Sequence, residues 1–421
     1  MTEDLLAPPR TDRLPSLLRP LRNRNYALLF TGQLSSLIGD QLYVVALPFL
    51  ILDHASVRDL GLVLMCFGIA RIATIPIGGV LADRVSKVRL MLLTDVGRAL
   101  CVVGVAAVAF TDDPSVVPLM ALTAFLGALE GLFLPPSYAI LPDILDDDQL
   151  PAGNALNTAL ESAAGFLGPA LAGLLIAVFT PGVALAVDAC TFLISAVTLL
   201  AMRLDPNRVR TGEEDELEAS GVPEDTSARG FIRLLLVSRV LQLTLVITLL
   251  SNLAFDAMAE VALPVYSRDH LLRGAEGFGF MLSAFGAGAL LGGLLTDLLF
   301  RLPRRGLVAL ALGVLQGVAL ALVPVVGGLA GACVLLAVSG LTIGVLNAFY
   351  LTHLQQRVPA HLLGRTMGVL MMAIFGAQPV SVFAAGMVMG GTGPGPIFAV
   401  AGLLIVVGYL MGLFSTEFRT L

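Results

Sequence analysis

The chain is 421 residues long, with 57% hydrophobic and only 13% charged residues and a net charge of -6. Soluble domains carry about a quarter charged residues, so this composition and a mean hydropathy of +0.90 exclude an ordinary soluble enzyme. At about 20 apolar residues per span, the hydrophobic content supports about a dozen membrane-crossing helices and leaves no room for a separate catalytic domain.

Residues 1–24 hold four prolines and five arginines before a full-length apolar run, and read as a cytoplasmic tail rather than a cleaved signal peptide. Apolar runs then predict spans at 26–51, 58–82, 90–110, 116–140, 154–178 and 183–202, which make a six-helix half over 25–203. The one long polar stretch, 204–238, carries Glu213, Glu214, Asp215, Glu216 and Glu218 and reads as a mobile cytoplasmic linker. Spans at 240–264, 277–300, 306–325, 329–351, 365–389 and 396–416 make a second half over 239–416, and 417–421 form a short cytoplasmic tail. The expectation is an all-α membrane protein of twelve transmembrane helices in two six-helix, pseudo-symmetric halves.

Placing both termini in the cytoplasm puts 20 of the 25 basic residues there. Only Arg58, Arg268 and Arg273 fall outside, and Arg71 and Arg98 lie within spans. The positive-inside rule therefore fixes the expected orientation. The halves also echo each other. Gly79-Val80-Leu81-Ala82-Asp83 recurs as Gly293-Leu294-Leu295-Thr296-Asp297 at an offset of 214, Pro142 and Pro359 lie 217 apart, and Pro169 and Pro379 lie 210 apart. Offsets near half the chain length indicate an internal duplication, which favours a transporter.

Two motifs carry chemistry. The loop Gly79-Val80-Leu81-Ala82-Asp83-Arg84-Val85-Ser86-Lys87-Val88-Arg89 pairs a glycine that permits close helix approach with an aspartate at a helix end and a basic cluster. It resembles the signature loop of the major facilitator superfamily. That resemblance implies a gating role for Gly79, Asp83, Arg84, Lys87 and Arg89, with Asp297 and Arg301 as their counterparts in the second half. Gly165, Gly168, Pro169 and Gly173 in span five resemble the antiporter motif of the same superfamily, one residue off its strict spacing, and small residues there favour tight packing. Over nearly the whole chain the resemblance is to the subgroup of macrolide efflux proteins and the enterobactin exporter. It runs through Arg24-Asn25-Tyr26, Gly39-Asp40, Pro142 to Asn154, Asp188, Gln355 and Gly364-Arg365. One departure stands out: Gly127 occupies the place where many drug antiporters of the superfamily carry an arginine, with Glu130 one turn on.

Polar residues inside spans recur at helical spacing: Gln33, Ser36, Asp40 and Tyr43; Thr123, Glu130 and Ser137; Thr248, Asn252, Asp256 and Glu260; Ser339, Asn347 and Tyr350. Polar groups are too costly in lipid to face it, so these stripes should line a shared wet cavity. Asp40, Glu130, Asp256 and Glu260 are the candidate proton-coupling or substrate carboxylates, with Arg71 and Arg98 as partners and Asn252, Asn347 and Tyr350 as cavity residues. Glu260 is expected near the outer mouth, Asp188 and Glu161 are read as structural, and Gln316 and Gln378 are secondary candidates. The acidic turn of Asp143, Asp146, Asp147 and Asp148 is read as a solvated loop. The cysteines Cys66, Cys101, Cys190 and Cys333 are read as packed small hydrophobes, and the four histidines as solvated loop residues.

The only lysine is Lys87, so no phosphate-binding GxxxxGK loop exists, and no metal or cofactor motif appears. The expected function is export of an amphipathic or hydrophobic small molecule, drug-, macrolide- or siderophore-like, by proton antiport with alternating access. The expected setting is a monomer in the bacterial inner membrane with no nucleic-acid partner. An importer and a non-transporting membrane receptor are the rivals.

Overall fold

The computed structural model describes residues 16–111, 115–203, 239–299, 305–357 and 360–414. The proposed linker, Arg301 and the C-terminal tail lie outside them.

Six helices form the first half: α1 (Arg24–His54), α2 (Val57–Arg84), α3 (Lys87–Ala109), α4 (Val116–Ala139), α5 (Leu150–Val178) and α6 (Pro181–Ala201). Their starts follow from local chemistry. Asn23 caps α1 by accepting from the backbone N–H groups of Asn25 and Tyr26, Ser56 and Asp59 form a reciprocal capping box on α2, and Thr180 caps α6 just before Pro181. The second half comprises α7 (Arg239–Asp256), α8 (Gly274–Leu299), α9 (Arg305–Val326), α10 (Gly328–Arg357), α11 (Ala360–Gly376 and Gln378–Thr392) and α12 (Gly395–Met411). Among the described residues eleven helical spans are long and apolar enough to cross a membrane, and the shorter Gly395–Met411 is the apolar twelfth.

Two of these helices are irregular. Beyond Asp256, α7 runs on through wide π turns at Ala257–Ala262 and Tyr266–His270, separated by Leu263–Val265. It therefore extends past the expected end at 264. Helix α11 is interrupted at Ala377, two residues before Pro379, which lacks the N–H that would bond back to the preceding turn.

The duplication read from the sequence is visible in the packing. In the first half α2 packs on α4, α3 on α4 and α6, and α1 on α6; in the second, α8 packs on α10, α9 on α10 and α12, and α7 on α12. The halves meet along two seams, α5 against α8 and α2 against α11. Each seam sets a proline against a glycine. A Cβ on Gly279 would fall on the backbone carbonyl of Pro169, and one on Gly68 would meet the Pro379 ring. On the α5–α8 seam the Ala170 N–H donates to Ser283 Oγ at 2.8 Å, so a hydrogen bond crosses between halves beside the Pro169 kink.

Residues that carry the family resemblance hold one end of the first half together. Tyr26 is fully buried, with its hydroxyl donating to Gly153 O at 3.0 Å. Asn25 bonds both the N–H and the C=O of Arg203, which ties the start of α1 to the end of α6.

Candidate functional site: a charged cavity between the halves

A cavity of about 370 Å³ lies between the halves. Its polar lining is Asp40, Gln41 and Tyr43 from α1, Arg71 from α2, Arg98 from α3, Glu130 from α4, Asp188 from α6, Glu260 from the π segment of α7 and Gln378 from the α11 break. Phe67, Phe192, Phe255, Phe278 and Phe285 supply aromatic wall. Such a chamber suits a molecule with an apolar body and a few polar groups.

Both arginines are engaged. Arg71 pairs with Glu130 at 3.4 Å, and its guanidinium lies 4.3 Å from the Phe375 ring centroid on α11, so one α2 side chain touches both halves. Arg98 is buried, paired to Asp95 one turn earlier and held between the rings of Phe133 and Phe192 at 4.1 and 4.4 Å. Ser195 on α6 donates to the other oxygen of Asp95 at 2.6 Å. Asp95 escaped the sequence reading, which had Arg98 available to a cavity carboxylate rather than to a neighbour one turn away on its own helix.

Of the candidates, Asp40, Glu130, Glu260, Arg71 and Arg98 come together at the cavity, while Asp256, Asn252, Asn347 and Tyr350 are not among its lining residues. Asn252 donates to its own helix at Thr248 O, and Asn347 is exposed. Glu260 is not at an outer mouth: it accepts from Gln378 at 2.7 Å, which joins the π segment of α7 to the break in α11. Two irregular helices place that pair, and neither irregularity shows in hydrophobic periodicity. Asp188 is also corrected: it lines the cavity and is fully buried. Gly127 packs on α2, and a Cβ there would fall on the Phe67 carbonyl, so no arginine fits at that position.

In the gate loop, Asp83 and Arg84 are exposed, and Asp83 has no partner among the described residues. A Cβ added at Gly79, or at its counterpart Gly293, would meet nothing within 4 Å. The side chain of Asp297 lies outside the described residues. Lys87 behaves differently. Its Nζ donates to Asp143 Oδ2 at 2.8 Å, and Asp143 is buried, so this member of the acidic turn is the partner of the gate-loop lysine rather than a solvated residue. Gly165, Pro169 and Gly173 face α8, and Gly168 packs on Gln41 of α1. Cys190 is exposed, against the expectation of a packed thiol, and His270 stacks on Tyr266 at 5.6 Å.

Contacts between the halves among the described residues run from the cavity to the end remote from the gate loop. Gly61 packs on Gly386, Gly173 on Ala275, Phe49 on Phe278 at 5.9 Å, and Arg268 at the end of α7 donates to the Leu52 carbonyl in the last turn of α1. At the gate-loop end the two motif glycines face open space.

The sequence profile of the Major Facilitator Superfamily matches residues 29–382. The chain is 27% identical to the multidrug efflux pump Tap of Mycobacterium tuberculosis, over 95% of this chain and 96% of that protein. It is 26% identical to the enterobactin exporter EntS of Salmonella typhimurium, over 94% and 93%. Among solved structures, the nucleoside transporter NupG superposes with a TM-score of 0.72 at 13% identity, covering 93% of this chain and 99% of that one. A bacterial homologue of the iron transporter ferroportin in its inward-facing state superposes at 0.68 with 15% identity, over 92% and 98%. Both superpositions establish the fold.

Proposed function

The chain belongs to the Major Facilitator Superfamily and is a multi-pass membrane transporter; from that premise we propose that it exports amphipathic small molecules in exchange for protons. The observation that carries the reading is the cavity itself. Aromatic walls offer a sequence-remote apolar surface from both halves, and four carboxylates share the cavity with two arginines, one paired to Glu130 and the other to Asp95. A carboxylate that alternately faces water, a guanidinium and substrate is a group whose proton can be exchanged for cargo. Full-length similarity to an efflux pump and to an exporter supports the outward direction over import.

Residues 25–203 and 239–416 act as the two rocking units, with 204–238 as the linker between them. The monomer carries the complete cavity. The 20-to-3 distribution of basic residues supports cytoplasmic termini in a bacterial inner membrane. With that orientation the halves are closed on the outer side, and the gate-loop end, where Gly79 and Gly293 face open space, is the cytoplasmic entrance. Asp83, exposed here, would gain partners only when that entrance closes, which gives it differential interaction between states, whereas Lys87 is already held by Asp143.

The test is transport in everted membrane vesicles energised by respiration. Compounds to which expression confers resistance in an efflux-deficient host should accumulate, and a protonophore should collapse the accumulation. Uptake into right-side-out vesicles instead would make the protein an importer. No transport of any such compound would leave a receptor-like role.

A further inference from the structure

Helix α6 lies outside the seams between the halves, yet its one carboxylate, Asp188, reaches the cavity. The route is a gap in α1. Gly39 has no side chain, and a Cβ built there would collide with the Asp188 carboxylate and the Thr191 hydroxyl. Through this gap Asp188 lines the cavity beside Asp40, while none of its surface is open to water.

Its hydrogen bonding is incomplete. Thr191 Oγ1 lies within hydrogen-bond reach of both the Asp188 backbone carbonyl, at 2.7 Å, and Asp188 Oδ1, at 3.3 Å. Asp188 Oδ2 is buried with no hydrogen-bond partner. The charged and titratable groups acting on this position are Asp40 and Tyr43 from α1 and Arg98 from α3, with Asp95 from α3 and Glu130 from α4 acting in turn on Asp40. The nearest cation, Arg98, is committed to Asp95 and enclosed by two phenylalanine rings. Three aspartates thus share one guanidinium, and one of them has an oxygen with nothing to bind. A buried carboxylate so placed is strongly penalised as an anion.

We propose that Asp188 binds the exchanged proton, as the buried end of a two-carboxylate path whose cavity end is Asp40. This rests on the proton-coupled reading above and names the group that stores the proton. A proton arriving from cavity water adds to Asp40 and passes to Asp188 Oδ2, with one positive charge entering and no other bond made or broken. The reverse transfer returns it to water when the cavity faces the other side. Gly39 leaves room on α1 for the Asp188 carboxylate and the Thr191 hydroxyl, and Thr191 engages Oδ1, which leaves Oδ2 as the oxygen without a partner.

The test needs no substrate. Infrared difference spectra of the full-length protein in lipid nanodiscs, recorded between acidic and alkaline pH, should show the carbonyl stretch of a protonated carboxyl that exchanges slowly with deuterium. Asp188→Asn should remove that band. Thr191→Val should shift it, because the hydroxyl beside Oδ1 is gone, and a merely structural carboxylate would give neither change. An Asp188→Asn spectrum superposable on wild type overturns the proposal. Should that variant not fold, an unshifted band in Thr191→Val overturns it instead. The band bears on proton storage alone, so its presence without transport in vesicles would sink the export reading and leave this assignment standing.

Discussion

Two charged residues of the same loop, Lys87 and Asp83, occupy opposite physical situations. Lys87 is mostly buried against a buried Asp143, whereas Asp83 is exposed with no partner among the described residues. Removing one member of a buried pair strands the other, at a cost of about 3 kcal/mol. Lys87→Met is therefore expected to lower the thermal unfolding midpoint of the purified protein by several degrees, with Asp143→Asn doing much the same. Asp83→Asn should leave that midpoint unchanged while transport falls sharply, since its contacts form only in the other state. Equal melting losses for Lys87→Met and Asp83→Asn would show that the loop is simply structural. In the cavity, Asp40→Asn or Glu130→Gln should abolish proton-driven accumulation yet preserve counterflow of bound substrate, which needs alternating access but no net proton movement. Full gradient-driven transport in both variants would shift coupling to another group.

Among helices, the irregular ones do what regular periodicity cannot. The π turns of α7 and the break in α11 bring Glu260 and Gln378 to 2.7 Å, and π segments recur at functional sites because they re-aim side chains. The stripes on α1 and α4 were readable from sequence because polar residues there repeat at 3.6-residue spacing in otherwise apolar runs. Asp188 and Asp95 were not readable as cavity-associated groups. Each lies on a helix outside the four polar stripes read from the sequence, and what admits Asp188 is the absence of a side chain at Gly39 on a different helix. Fold class was legible in composition and duplication; the site's second layer depended on which backbone passes close to which. The seams carry their own test. Gly279→Val would drive side-chain atoms into the Pro169 carbonyl, and Gly61→Leu would do likewise at the Val382 carbonyl. Both variants are expected to favour the state in which the outer ends separate. An impermeant thiol reagent should then label a cysteine placed at Leu47 faster than in wild type, and unchanged labelling would mean the seams do not set the equilibrium.

Across the molecule, the duplicated halves give two equivalent seams, and the proposed rocking about the cavity would exchange closure at one end for closure at the other. Closure at the end remote from the Gly79–Arg89 loop is visible in the glycine contacts and in the Arg268 bond to the end of α1. Sidedness decides what this means for direction. Cysteines introduced at Ser220 and Thr392 should be labelled from the cytoplasm and from outside respectively, and external labelling at Ser220 would invert the assignment. Exchange of cargo for protons is tested most directly by following the lumen pH of acidified everted vesicles with a fluorescent weak base. Adding a compound to which expression confers resistance should dequench the dye in vesicles carrying the wild-type protein, as protons leave in exchange, and should do nothing with Asp40→Asn. Transport of that compound without any proton efflux would contradict the account.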